Sequence, residues 1–290
     1  MTTRADEQTL KDEIVRLESQ LASARIRLSP PLPSNPTNPH PTFPSSQLPS
    51  HALLLLSDSA LPLGSFAFSS GLESYLAHHS TSPSSQPAPN ALSHFLTLTL
   101  TSLATTALPY LIAAYNFPDQ LQALDFALDA CALCPVARRA SVAQGKALLT
   151  LWDRALKADA GKTHAGQALV DFSKALKNPV SGEDHGLELA GHFPLIWAAV
   201  TAALGITLNE SAYTFLLNHA KAVVSAAVRA SVMGPYAAQG VLASFWLRDE
   251  IGRVMQKYWE LDVEEAGQGV PMCDVWIGRH ELLYSRIFNS

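Results

Sequence analysis

Leu10, Ile14, Leu17, Leu21, Ala24 and Leu28 recur at alternating spacings of four and three with charged residues between them, a seam that predicts an amphipathic helix over residues 1–28. It is under three heptads long, which is marginal for a free-standing coiled coil. Docking on its own domain or fraying therefore competes with oligomerisation. Eight prolines (Pro30, Pro31, Pro33, Pro36, Pro39, Pro41, Pro44, Pro49) and no formal charge follow in residues 29–50, the composition of an extended linker. Residues 51–290 then read as one all-helical domain.

Within it, Leu92, Leu96, Leu100, Leu103 and Ala107 fit one helix face. The alternation Leu96-Thr97-Leu98-Thr99-Leu100-Thr101 also admits a strand, but length favours the helix. Leu121–Cys131 and Val136–Leu156 carry further amphipathic patterns, and Ala158–Gly166 reads as a surface loop. Pro194 opens a helix that is apolar on all sides, and Gly205 stops it. Thr207 and Glu210 have the spacing of a capping box. Beyond them Tyr213, Leu216, Ala220, Val223, Ala227 and Ala230 line the buried face of a long helix. Pro235–Tyr258 gives one more helix, and Val270–Ser290 a short tail.

Charge narrows the partners. Only 16% of residues are charged and the net charge is −5. With no basic cluster longer than Arg138-Arg139, nucleic acid and acidic membranes are disfavoured. Between Ser74 and Pro118 lie 45 residues without one Asp, Glu, Lys or Arg; such a half is buried or partner-facing. Three cysteines make no disulfide framework, no stretch reaches the length of a membrane helix, and the N-terminus lacks an apolar signal, so a soluble, cytoplasmic chain is expected.

The chemical motifs each have a plainer alternative. Cys131-Ala-Leu-Cys134 has the spacing of metal and redox pairs, yet no second pair or βαβ context accompanies it, so core cysteines are the first reading. Of the ten histidines, neither His78-His79 nor His185 with His192 has the spacing of a helical metal pair. No phosphate loop, dinucleotide fingerprint, nucleophile elbow or zinc-protease motif occurs. Arg229 is the only formally charged residue between Lys221 and Arg248. Among its alanines and valines a buried guanidinium would need an internal partner. The segment Leu61-Pro62-Leu63-Gly64-Ser65-Phe66-Ala67-Phe68-Ser69-Ser70-Gly71-Leu72-Glu73 reads as a turn into a helix with Ser65 as its N-cap.

That segment resembles the LPxGxFxxSxGLE stretch of the UreF family of urease accessory proteins, and the resemblance continues over residues 53–290. Ala137-Arg138-Arg139 with Gln144-Gly145-Lys146-Ala147-Leu148-Leu149, His192-Phe193-Pro194-Leu195-Ile196-Trp197, Ser225-Ala226-Ala227-Val228-Arg229, and the tail Arg279-His280-Glu281-Leu282-Leu283-Tyr284-Ser285-Arg286-Ile287-Phe288 follow in the family's order. Phe68 replaces a common Tyr, and Gly278 a larger apolar residue. Residues 1–50 and the Ser80–Asn90 loop have no counterpart in compact bacterial forms.

The resemblance implies an all-helical homodimer that acts as a scaffold and not as an enzyme. It would bridge a UreD (or UreH) partner and the GTPase UreG, and couple GTP hydrolysis to nickel delivery into apo-urease, with nickel in transit and no tightly bound cofactor. Pro62, Gly64, Phe66, Phe68, Glu73, Arg229, His280, Glu281, Tyr284, Arg286 and Phe288 are the partner-binding residues it points to; no catalytic or metal-ligating residue is expected. A direct nickel carrier using His and Cys ligands, or a redox protein using Cys131 and Cys134, are the competing readings. Since heptads and linker precede the domain, removing residues 1–50 is expected to leave the remainder folded, with helical circular dichroism per residue nearly unchanged. A thermal melt of the truncated chain checks this, and loss of a cooperative transition would refute it.

Overall fold

The computed structural model describes residues 11, 13, 14, 16–18, 20, 50–79, 90–178 and 188–289. Two compact units divide the chain, Met1–Pro49 and Ser50–Ser290. Of the first, the described positions are helical, and Ile14 and Leu17 are exposed. Leu10, Leu21, Ala24 and Leu28 of the heptad seam, nearly all of the Pro-rich linker and of the Ser80–Asn90 loop, and His185 lie outside the described residues.

The second unit is all-helical: thirteen α-helices and no strand among the described residues. They are α1 (His51–Leu56), α2 (Leu72–His79), α3 (Ala91–Thr106), α4 (Leu108–Asn116), α5 (Leu121–Cys131), α6 (Pro135–Leu151), α7 (Lys157–Ala160), α8 (His164–Lys177), α9 (Phe193–Ala203), α10 (Leu208–Arg229), α11 (Pro235–Leu242), α12 (Phe245–Tyr258) and α13 (Pro271–Arg279). No single helix among the described residues is long and apolar enough to cross a membrane.

Helix α9 occupies the centre, packed against α4, α6, α8 and α10. Nine of its eleven residues are buried, from Pro194 to Ala203, which is what a helix without a polar face requires. Pro194 sits in its first turn, where no N–H is needed, and Gly205 follows its end at φ +73°. Thr207 and Glu210 form the expected capping box at the start of α10. Leu216, Ala220, Val223 and Ala227 are its buried stripe, while Tyr213 and Ala230 are only half-buried. The 96–101 stretch is helical, with Leu92, Leu96 and Leu100 buried in α3.

Three boundaries differ from the sequence reading. The pattern over Val136–Leu156 divides: α6 stops at Leu151 and one π-helical turn, Trp152–Leu156, carries the buried Trp152. Of Ala158–Gly166 only residues 161–163 are a surface turn; the rest belongs to the end of α7 and the start of α8, which meet closely. Gly166 is buried there, and a Cβ on it would stand 2.2 Å from the Ala160 carbonyl oxygen. Pro235–Tyr258 is two helices, because Ser244 accepts the Leu247 N–H and starts α12 afresh.

The segment before α9 is fixed by two aspartates of α5. Asp125, fully buried, accepts the backbone N–H groups of Ala190, Gly191 and His192 at 2.7–3.1 Å. Asp129 holds His192 Nε2 at 3.0 Å and pairs through both carboxylate oxygens with Arg138. Ser141 Oγ contacts His192 Nδ1 at 3.1 Å and accepts the Phe193 N–H. The same segment passes so close to α6 that a Cβ on Gly145 would meet the Gly191 carbonyl oxygen at 2.0 Å.

The Arg138 hydrogen bond, assisted by His192 and opposed by burial, holds the Asp129 carboxyl below its ordinary value of 3.8. A depressed carboxylate stabilises the fold above its unfolded value, and that contribution is lost as pH falls through the folded one. Asp129→Asn is therefore expected to cost about 1–2 kcal/mol at pH 7, allowing for the partly exposed Arg138, with the difference from wild type shrinking below pH 4. Urea melts of both chains between pH 3 and 7 check this; a pH-independent difference would contradict it.

Candidate functional site

The Leu61–Glu73 segment and the C-terminal tail, far apart in sequence, meet at one surface. Gly64 takes φ +71°, which admits the tight turn, and Ser65–Ala67 forms one 3₁₀ turn. Ser65 is not an N-cap, as the sequence suggested. Gly64 precedes the turn, and Ser65 Oγ instead donates to Gln144 Oε1 at 2.9 Å. Gly71, at φ +83°, lies against the backbone of Trp276 and Ile277, where a Cβ would collide. A side chain at 71 would separate α2 from α13.

From the start of α2, Glu73 reaches the tail. Its carboxylate accepts the N–H groups of Ile287 (3.0 Å) and Phe288 (3.3 Å) and lies 2.7 Å from His280 Nε2. The chain is closed beyond this point by the Asn289 N–H donating to the Ala67 carbonyl oxygen at 2.8 Å. Arg229, from the end of α10, donates to the Phe66 carbonyl oxygen and stands over the Phe288 ring, 4.3 Å from its centroid. Arg139 of α6 pairs with Glu281.

These contacts sort the sequence-derived residues into two groups. Pro62, Phe66, Glu281, Tyr284 and Arg286 are exposed, Phe66 at 66%, and Gly64 and Phe68 are half-buried. His280 and Phe288 are corrections: both are buried, Phe288 at 4%, and Glu73 faces inward with them. They hold the surface from beneath and are not anchors offered to a partner. Arg229, among the residues the resemblance points to, is exposed rather than buried among its alanines and valines, and its guanidinium takes a carbonyl and an aromatic face. Leu282 and Ile287, exposed at 80% and 59%, join the surface unpredicted; Leu282-Leu283 in a charged tail was the available signal.

Under the same turn a cavity of about 360 Å³ is lined by Ser65, Phe68, Gln144, Cys131, His192 and His219, among others. Burial pushes the His219 imidazole down to about 4, so it is neutral at pH 7, and its Nε2 has no hydrogen-bond partner. The cysteines are unlinked: Cys131 is exposed, with the Tyr110 hydroxyl 3.7 Å from its sulfur, and Cys134 is buried. Burial pushes the Cys273 thiol up to about 12, far from the thiolate that redox chemistry needs. Among the described residues no three His, Cys, Asp or Glu side chains gather as a metal-holding group.

Glu73→Ala is expected to release the tail without unfolding the bundle, because the tail's two backbone donors and His280 lose their common acceptor. Amide exchange at residues 283–289 should rise strongly while α9 and α10 keep their protection. Unchanged exchange in the tail would show that Phe288 burial alone retains it.

The UreF family model matches residues 88–245. A relative from Schizosaccharomyces pombe described as an uncharacterized urease accessory protein UreF-like is 36% identical over 84% of this chain and 99% of its own. Urease accessory protein 6 of Cryptococcus neoformans var. grubii is 26% identical over 83% of the chain and 96% of its own. Urease accessory protein F of Arabidopsis thaliana is 29% identical over 81% and 90%. On this similarity along nearly the whole domain, together with its all-helical architecture, the chain belongs to the UreF family of urease accessory proteins.

Proposed function

We propose that this chain is a non-catalytic scaffold of urease maturation that bridges a UreD/UreH-type protein and a UreG-type GTPase, so that GTP hydrolysis is coupled to delivery of nickel, the cargo, into apo-urease. The observation that carries the reading is the surface formed by the Leu61–Glu73 segment and the tail. It exposes Phe66, Leu282, Tyr284 and Ile287 beside Arg286, on backbone that Glu73 and Arg229 hold in place. Exposed aromatic and aliphatic side chains with an arginine are the composition of interface hot spots. Preorganising them lowers the ordering cost that a partner would otherwise meet.

Arg286 makes no ion pair among the described residues and lies between Tyr284 and Phe288. Phe288 is buried, so Arg286 is tethered at a fixed point while its guanidinium stays free for a carboxylate. Arg286→Ala should leave the melting temperature close to wild type and weaken recruitment of the GTPase by about 2 kcal/mol. A pull-down with both accessory chains measures this, and undiminished GTPase would refute the role of the tail. In cells lacking the protein, urease polypeptide should accumulate nickel-poor and inactive; normal activity there would overturn the scaffold reading as a whole.

A further inference from the structure

The cavity of about 360 Å³ beneath the Leu61–Glu73 turn is mostly apolar, yet Asp58, Arg138, Lys221 and Asp274 line it. Three of these charges are answered inside the fold. Arg138 pairs with Asp129 through both carboxylate oxygens, and Lys221 donates to the Ser57 carbonyl oxygen and is attracted by Asp58. Asp274 differs. From the first turn of α13 its carboxylate accepts the Gln268 side-chain amide at 2.9 Å, and among the described residues no cationic side chain pairs with it.

Burial raises the Asp274 carboxyl above its ordinary value, and the Gln268 hydrogen bond offsets this only in part. A carboxyl raised by folding weakens the folded state at pH 7, where the unfolded chain ionises it more readily. The charge therefore does not serve the fold, and a desolvated group of this kind in a cleft is a candidate for function. A second group in the wall is unanswered as well. His219, on α10, has a buried Nε2 without a hydrogen-bond partner, and its imidazole is neutral at pH 7. A cation in the cavity thus meets no imidazolium there, and a neutral polar group on the same ligand would satisfy the nitrogen. Apolar walls with a few polar groups, in a volume within about 300–1,000 Å³, are what a small-molecule site requires.

We infer that this cavity binds a small organic ammonium ion, its charged nitrogen on the Asp274 carboxylate and its apolar body among Leu103, Phe193 and Phe215, which line the same space. The inference goes beyond the proposed function and does not rest on it. It is measured on the isolated full-length chain, so its failure leaves the tail surface and its recruitment test untouched.

Cys131 lines the same cavity and is exposed, whereas Cys134 and Cys273 are buried, so alkylation of Cys131 by N-ethylmaleimide reports occupancy. In calorimetry at pH 7, n-octylammonium should bind saturably and about 10-fold or more tighter than 1-octanol, with octanoate weaker still. It should slow Cys131 alkylation in step with its binding. Asp274→Asn, which keeps an acceptor for Gln268, should bind octylammonium no better than octanol and melt at or above the wild-type temperature. Equal binding of ammonium and alcohol overturns the inference, as does an Asp274→Asn chain that binds the ammonium like wild type. A lower melting temperature in that variant would make the carboxylate part of the helix start and overturn it too. Binding that leaves Cys131 unprotected would place the cation elsewhere. Nickel ion that displaces octylammonium would assign Asp274 to the cargo and not to an organic cation.

Discussion

A helix with no polar side cannot be stable at a surface, and the architecture follows from enclosing α9. Its residues from Pro194 to Ala203 need apolar neighbours all round, which α4, α6, α8 and α10 supply. Enclosure creates a difficulty at the N-terminal end, where the backbone donors of the entering segment are shut away from water and each unpaired one would cost about 1–3 kcal/mol. Asp125 meets it by accepting three successive N–H groups. One buried carboxylate thereby fixes where the central helix begins, and Asp129 with Arg138 and Ser141 fixes the imidazole that follows. The close passage at Gly145 goes with the same demand, since segment 190–193 runs against α6 where its N–H groups meet the acceptors Asp125 and Ser141.

How much of this was legible in the sequence depends on how far apart the cooperating residues lie. The capping box at Thr207 and Glu210, the Pro194 start and the Gly205 stop are each complete within a few residues, and the structure repeats them. The 243–244 break was missed because Ala243 and Ser244 offer no proline or glycine; the interruption comes from Ser244 capping the next helix. Ala158–Gly166, with its Gly, Asp and Lys residues, reads as loop over its whole length, whereas only 161–163 is a turn and Gly166 is there for close approach to Ala160. The Asp129–His192–Ser141 cluster spans more than fifty positions. Nothing in local spacing announces it.

The candidate site shows the same division more sharply. The resemblance brought the right segments forward but could not tell which side chains face outward. Arg229, embedded in alanines and valines, reads as buried, yet it ends α10 at the surface, where a long side chain can lay its stem on apolar neighbours and keep its head in water. Phe288 reads as an exposed terminal aromatic. Burial depends on Glu73, some two hundred residues earlier, whose carboxylate takes the tail's backbone donors.

The grouping around Glu73 also connects fold to function. His280, Ile287 and Phe288 share one acceptor, so the tail is held by a cooperative set and not by a series of independent contacts. Arg229 supports the set from its other side by joining the Phe66 carbonyl to the Phe288 ring. The exposed Phe66 and Tyr284 are therefore mounted on backbone whose position is set by Glu73, His280 and Arg229, and a change at any of these groups reaches both. This arrangement suits the recognition role proposed for it. Precision comes from the inward-facing carboxylate and the guanidinium, while the exposed aromatic and aliphatic side chains, free of internal duties, are available to another chain.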